Sequence, residues 1–282
     1  MVDRNSRIKL SAGQIFWREA GDDRRPVMIL LHGNWHDSNQ WQDLLEPLSK
    51  DFHCFALDLL GFGNSTAIQS PTSIEMEVDC LHEFLTTLNL RPVYLVGHSL
   101  GAWIAVNYTL KHPDLVQGVV TISPEGFFLT NWRQYGFLTK LLLAHPVLLK
   151  LWLAGLQTLT SVSDGAAPLA RKQAYWNFFK EFPTTRTLLF SRSTTEIQRE
   201  LVADQLSQFK TPILILQTDR DDASTINQNQ AYARSIHGAE YRSIQDLESI
   251  SRHQLPPQTA IEIQDFTDRV QRKIDLEEME LW

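Results

Sequence analysis

Five short apolar runs, each cut off by glycine or a small polar residue, constrain this chain more than any other feature. Residues 27–31 (Val-Met-Ile-Leu-Leu) end at His32-Gly33, and 53–57 end at Asp58 and a glycine-rich loop. Residues 93–96 end at Gly97, 118–122 at Ser123-Pro124, and 212–216 form the last of the five. Short continuous apolar runs are what parallel strands covered on both faces require. A weaker run follows at 240–244. Helical patterns lie between the runs. Residues 74–88 place Met76, Cys80, Leu81, Phe84 and Leu88 on one stripe, and 100–110 run to a stop at His112-Pro113. Residues 227–236 and 257–273 read as two more helices, the second opening at Pro257. Strand, helix, strand in repetition predicts right-handed crossovers and a doubly wound, mostly parallel α/β sheet. Residues 8–10 and 14–17, around Ser11-Ala-Gly13, read as an opening hairpin.

The alternation stops after Pro124 and restarts at Pro212. Residues 125–208 read as helical throughout, rich in Leu, Phe and Trp, and broken by Pro146, Pro168 and Pro183. The organisation expected is therefore a core of residues 1–124 and 209–282 with a helical cap inserted at 125–208. Most of the cap's aromatic residues should form its own core, and a minority, with Trp132 as a candidate, should line an apolar pocket. The most apolar stretch, 137–159, contains Lys140, His145, Pro146 and Lys150. It is a poor membrane span but suits weak contact with a membrane surface.

Composition narrows the partners. With 43% hydrophobic residues and a net charge of −7, the chain is too apolar for a disordered protein and carries the wrong sign for nucleic acid. The two cysteines, Cys54 and Cys80, lie in apolar settings and read as core residues more readily than as a disulfide. The charged first ten residues lack the apolar stretch of a signal peptide, so a cytoplasmic protein is expected.

The chemistry centres on Gly97-His98-Ser99-Leu100-Gly101. This G-x-S-x-G follows a buried run and opens a helix, which is the context a nucleophilic serine needs. A sharp strand-to-helix turn exposes the hydroxyl. The helix N-terminus adds positive potential where negative charge develops. A serine hydroxyl is a weak nucleophile, so a base and an orienting acid must accompany it. Asp219, Asp221 and Asp222 all follow the run 212–216. His253 and His237 are the histidines beyond them. No metal-ligand cluster, phosphate-binding loop or dinucleotide fingerprint is evident, so no cofactor is implied.

The motifs His32-Gly33-Asn34-Trp35, Asp58-Leu-Leu-Gly61-Phe-Gly63-Asn-Ser65 and Gly97-His-Ser99-Leu-Gly101, in this order, resemble the α/β-hydrolase superfamily in its cap-bearing esterase and epoxide-hydrolase-like branch. The resemblance implies oxyanion-hole amides at Asn34 and Leu100. It also implies a triad in the order Ser99, acid, His253, the last lying between the final strand and the closing helix. His237, before Gly238, reads instead as a helix C-terminal residue. Asp221 best fits the acid's spacing. Asp222 and Asp219 are alternatives, as is Glu125 at a displaced position. Thr218 and Arg252 stand where the family usually has glycine. His32, Trp35, His98 and Glu125 are candidates to line the substrate pocket, although His32 reads more simply as a loop brace and Asp58 as a turn device. Epoxide hydrolases and haloalkane dehalogenases carry Asp at the elbow, whereas serine favours an acyl-enzyme. The expectation is hydrolysis of a small to medium apolar carboxylic ester. The rivals are a thioester, amide or carbon–carbon substrate, a cofactor-free haloperoxidase-like activity, or a non-catalytic binding protein on the same fold.

Overall fold

The computed structural model describes residues 4–68, 73–128, 147, 151, 183–219, 221–245 and 255–280. Its strands are β1 (Arg4–Lys9), β2 (Gly13–Ala20), β3 (Val27–Leu31), β4 (His53–Leu57), β5 (Thr66–Ala67), β6 (Val93–His98), β7 (Val116–Ile122), β8 (Ile213–Thr218) and β9 (Glu240–Ile244). They form one sheet in the order β1-β2-β4-β3-β6-β7-β8-β9, with β5 paired to β2. From β4 to β9 every pairing is parallel; β2 joins β4, β1 and β5 antiparallel. The doubly wound, mostly parallel sheet expected from the apolar runs is thus present.

The helices are α1 (Gln42–Leu48), α2 (Ile74–Thr87), α3 (Leu100–Lys111), α4 (Pro183–Arg186), α5 (Thr194–Arg199), α6 (Ala223–Ser235) and α7 (Gln258–Glu280). Successive strand residues point to opposite faces, and two apolar clusters result. Ile29, Leu31, Leu95 and Ile215 pack under α2 and α3, while Met28, Leu30, Val96 and Leu214 pack under α1 and α7. Burying each such side chain stabilises the fold by about 1.5–3 kcal/mol. Cys80 belongs to the first cluster and Cys54 to the second. The sheet therefore separates them, and both are free and buried.

Boundaries differ from the sequence reading where caps act. Helix α6 begins at Ala223 rather than 227, because Asp222 accepts a hydrogen bond from Thr225 N (2.8 Å) and caps it. Helix α7 continues to Glu280 rather than stopping near 273. Helix α1 had no clear signal: it is about two turns long and contains Pro47. Strands β7 and β8 are parallel neighbours, so everything from 123 to 212 is one connection between them. Its described elements are α4, α5, a π turn at Thr187–Ser191 and a 3-10 turn at Leu206–Gln208. Most of the expected cap, including Trp132, lies outside the described residues. Within 137–159 only Val147 and Leu151 are described, and both are exposed.

Candidate active site

Chain order reverses at β3: the next strand, β4, lies on one side of it, and β6 returns to the other. Loops at the carboxyl ends of such strands diverge and leave a crevice, the usual ligand site of an open α/β sheet. The loop Gly33-Asn34-Trp35 leaves β3 there, and Ser99 leaves β6.

Ser99 sits at φ 51°, ψ −109°, between β6 and the first turn of α3. A non-glycine residue in this region is strained and must be held by its surroundings. Ser99 N donates to Ile122 O (2.9 Å), and Ser99 O accepts from Trp103 N (3.2 Å). The flanking glycines permit the turn. A Cβ on Gly101 would lie 2.1 Å from Leu31 O, and one on Gly97 would lie 2.5 Å from Ala102 N. Leu100 opens α3, so its N–H has no acceptor within the helix.

The Ser99 hydroxyl donates to Glu125 Oε1 at 2.5 Å. Asn34 Nδ2 donates to both oxygens of the same carboxyl, at 3.1 and 2.9 Å. Two backbone contacts place Glu125: its N–H donates to Ser99 O (3.3 Å), and its carbonyl accepts from the buried Tyr232 hydroxyl (2.6 Å). Burial pushes the Glu125 carboxyl above the usual carboxylate range, opposed by the bonds from Ser99 and Asn34.

Asp221 lies at the end of β8 and gathers four donors. Ser123 Oγ reaches it at 2.8 Å, Thr218 Oγ1 at 2.8 Å, Thr218 N at 3.1 Å and Asn229 Nδ2 at 3.0 Å. Thr218, which stands where the resemblance leads one to expect glycine, therefore bonds Asp221 through both its N–H and its hydroxyl. Asp222 caps α6, and Asp219 is exposed. Ser99, Glu125 and Asp221 thus follow three successive strands, β6, β7 and β8, with Glu125 at the serine and Asp221 at Ser123. His253 and Arg252 lie outside the described residues. His237 is exposed beyond the far end of the 13-residue α6, roughly 20 Å from the Asp222 cap.

The pocket candidates divide. His32 is fully buried. Its Nε2 accepts from Leu59 N (3.0 Å), so its Nδ1 carries the hydrogen and donates to Gly33 O (2.9 Å). Both nitrogens serve the backbone, and burial lowers its pKa. His32 thus braces the loops after β3 and β4. His98 accepts at Nδ1 from Gln40 Nε2 (2.9 Å), and burial together with His32 pushes its pKa down to about 4. Trp35, at φ 65°, donates its N–H to Thr185 Oγ1 (3.4 Å). Asp58 is a turn device: it accepts from Ser38 N (2.6 Å) and Asn64 N (2.7 Å). Gln40 was not legible in the sequence. Its Oε1 accepts from Gly33 N (3.0 Å) while its Nε2 holds His98, so one side chain ties the β3 loop to the elbow. Among the described residues there is no group of three or more His, Cys, Asp or Glu able to hold a metal ion. No described helix is long and apolar enough to cross a membrane.

Known proteins resemble this chain in sequence and in fold. The chain is 35% identical over 96 residues to (E)-2-((N-methylformamido)methylene)succinate hydrolase of Acinetobacter baylyi, covering 34% of this chain and 36% of that protein. It is 31% identical over 161 residues to epoxide hydrolase 3 of Xenopus tropicalis, covering 51% of this chain and 43% of that protein. In both cases the match spans less than half of the relative. The crystal structure of carboxylesterase CesB from Bacillus subtilis superposes with a TM-score of 0.69 at 19% identity, over 95% of this chain and 92% of that one, a likeness of fold. The family model for the alpha/beta hydrolase fold matches residues 26–248. Strand order, elbow and family match agree, and the chain belongs to the α/β-hydrolase fold family.

Proposed function

We propose that this protein is a serine hydrolase that cleaves a small to medium apolar carboxylic ester through an acyl-enzyme. The observation that carries the reading is Ser99 itself. It is held at φ 51° at the switch point of the sheet, with its hydroxyl bonded to a carboxyl 2.5 Å away. Ser99 Oγ attacks the ester carbonyl and its proton passes to His253. The oxyanion is received by the amides of Asn34 and Leu100, each well-placed donor being worth roughly 3–4 kcal/mol. The alcohol leaves with the proton from His253, and water then releases the acid. Asp221 orients the histidine. Glu125 is the second reading for that acid, favoured by its contact with Ser99. The relatives named as an epoxide hydrolase and a succinate-type hydrolase widen the bonds to be tested, but a serine at the elbow favours an acyl intermediate.

We place residues 125–208 as a cap over this site. Its described end is tied to the core in three places. Thr184 Oγ1 donates to Gly61 O (2.7 Å), Trp35 N donates to Thr185 Oγ1 (3.4 Å), and Trp103 Nε1 donates to Glu200 O (2.9 Å). The apolar preference rests on the density of Phe, Trp and Tyr along 127–182.

A fluorophosphonate probe should label the wild type covalently and leave Ser99→Ala unlabelled. The variant should lose at least about a hundredfold in turnover of p-nitrophenyl butyrate while keeping its circular dichroism. Labelling of Ser99→Ala at the wild-type rate would overturn the assignment.

A further inference from the structure

We propose that Glu125 sets the charge specificity of the site, excluding esters that carry an anionic group close to the scissile bond. This rests on the hydrolase reading above and deepens it. The side chain stands on the reacting atom, 2.5 Å from Ser99 Oγ. Every hydrogen bond described at its carboxyl oxygens comes from a donor, Ser99 Oγ or Asn34 Nδ2. The two Asn34 bonds favour the ionised carboxylate against the burial that opposes it. The Asn34 clamp also joins the carboxylate to the loop proposed to receive the oxyanion. Any ester aligned for attack by Ser99 must therefore place its scissile carbonyl beside Glu125. The oxyanion that develops is received by the amides of Asn34 and Leu100. A further permanent negative charge on the substrate would have no such partner. Two unit charges about 6 Å apart in a partly buried site repel by enough to cost on the order of a hundredfold in rate. The other carboxylate on this rim, Asp221, is taken up by Ser123, Thr218 and Asn229 on the next strand end.

The test uses two esters of the same acyl group, 4-butyryloxy-3-nitrobenzoate and its methyl carboxylate ester, both read by nitrophenolate release and each normalised to its own rate of hydroxide hydrolysis. The wild type should prefer the neutral ester by more than about tenfold in kcat/KM, and Glu125→Gln should shrink that ratio below about threefold. A merely structural role would lower both rates together and leave the ratio unchanged. Glu125→Ala keeps the backbone bond to Tyr232 and serves if the glutamine variant does not fold. Equal wild-type rates on the two esters, or a ratio that survives loss of the carboxyl, overturns the proposal while the hydrolase reading stands. Failure of the wild type to turn over both esters overturns the proposal and the hydrolase reading together.

Discussion

Three aspartates follow β8 within four residues, and their partners separate their roles. Asp221 is held by four donors, Asp222 caps α6, and Asp219 is exposed. If Asp221 orients the base, Asp221→Asn should lower kcat by about a thousandfold to ten-thousandfold, the loss that follows when the histidine's tautomer is no longer fixed. Asp222→Ala should keep turnover within about tenfold and instead cost about 1 kcal/mol of stability, the usual effect of removing an N-cap. Stopped assays and urea melts of the two variants separate these outcomes. A stable Asp221→Asn enzyme with near-normal kcat would transfer the acid's role to Glu125. The histidine pair at 32 and 98 shows the same division of labour. Their side chains hold loop backbone and Gln40, so they contribute to the shape of the site.

At the scale of elements, the elbow exists because α3 can press against the end of β3. Gly101 lies where any Cβ would meet backbone carbonyls, Leu31 O at 2.1 Å and His32 O at 2.7 Å, and neither can rotate away. Gly101→Ala should therefore destabilise the protein by at least about 2 kcal/mol, as overpacking against rigid neighbours does. Gly238, at φ 77°, has nothing within 4 Å of its added Cβ, so Gly238→Ala should cost only the backbone preference, about 1 kcal/mol. Denaturant midpoints of the two variants check the ordering. Equal losses would mean that the β3–α3 contact relaxes more freely than its geometry implies. The described end of the β7–β8 connection is fixed at Glu200. Glu200 links three elements: its carboxylate accepts from Ile74 N at the start of α2 (3.1 Å) and pairs with Arg192 (2.7 Å), while its carbonyl takes the Trp103 indole.

For the molecule as a whole, Glu77 couples stability to pH. It is 3% exposed on α2. Its Oε2 accepts from Leu60 N (3.2 Å), and its Oε1 is buried without a partner. Burial pushes its carboxyl up to about 8 from an ordinary value of 4.5. Below about pH 4.5 the folded and unfolded chains both hold this proton, and Glu77 costs nothing. Between 4.5 and about 8 only the folded chain keeps it, so stability falls as pH rises and the loss is complete above 8. Glu77→Gln keeps an acceptor for Leu60 and has no proton to lose. Its stability advantage over wild type should grow from near zero at pH 5 to a few kcal/mol at pH 8.5, measured by urea unfolding at each pH. Parallel stability–pH curves for the two proteins would show that Glu77 ionises normally in the fold.

By itself the sequence determined what depends on near neighbours. The apolar runs specified β3, β4, β6, β7 and β8, because a strand buried on both faces must be apolar at every position. The elbow was legible because its glycines, serine and helix start are contiguous. The hairpin β1–β2 and the amphipathic helix α2 were legible for the same reason. Asp58 as a turn device and the cysteines as core residues also followed from short-range pattern. Only the tertiary structure decided which distant residues share the site. Asn34 reaches Glu125 across 91 positions, and Ser123 reaches Asp221 across 98. The bridge of Gln40 to His98 and the burial of His32 likewise depend on β6 returning beside β3. No local periodicity encodes that strand order. It is set by the packing of whole helices across the sheet, and the carboxyl that stands on Ser99 is one of its consequences.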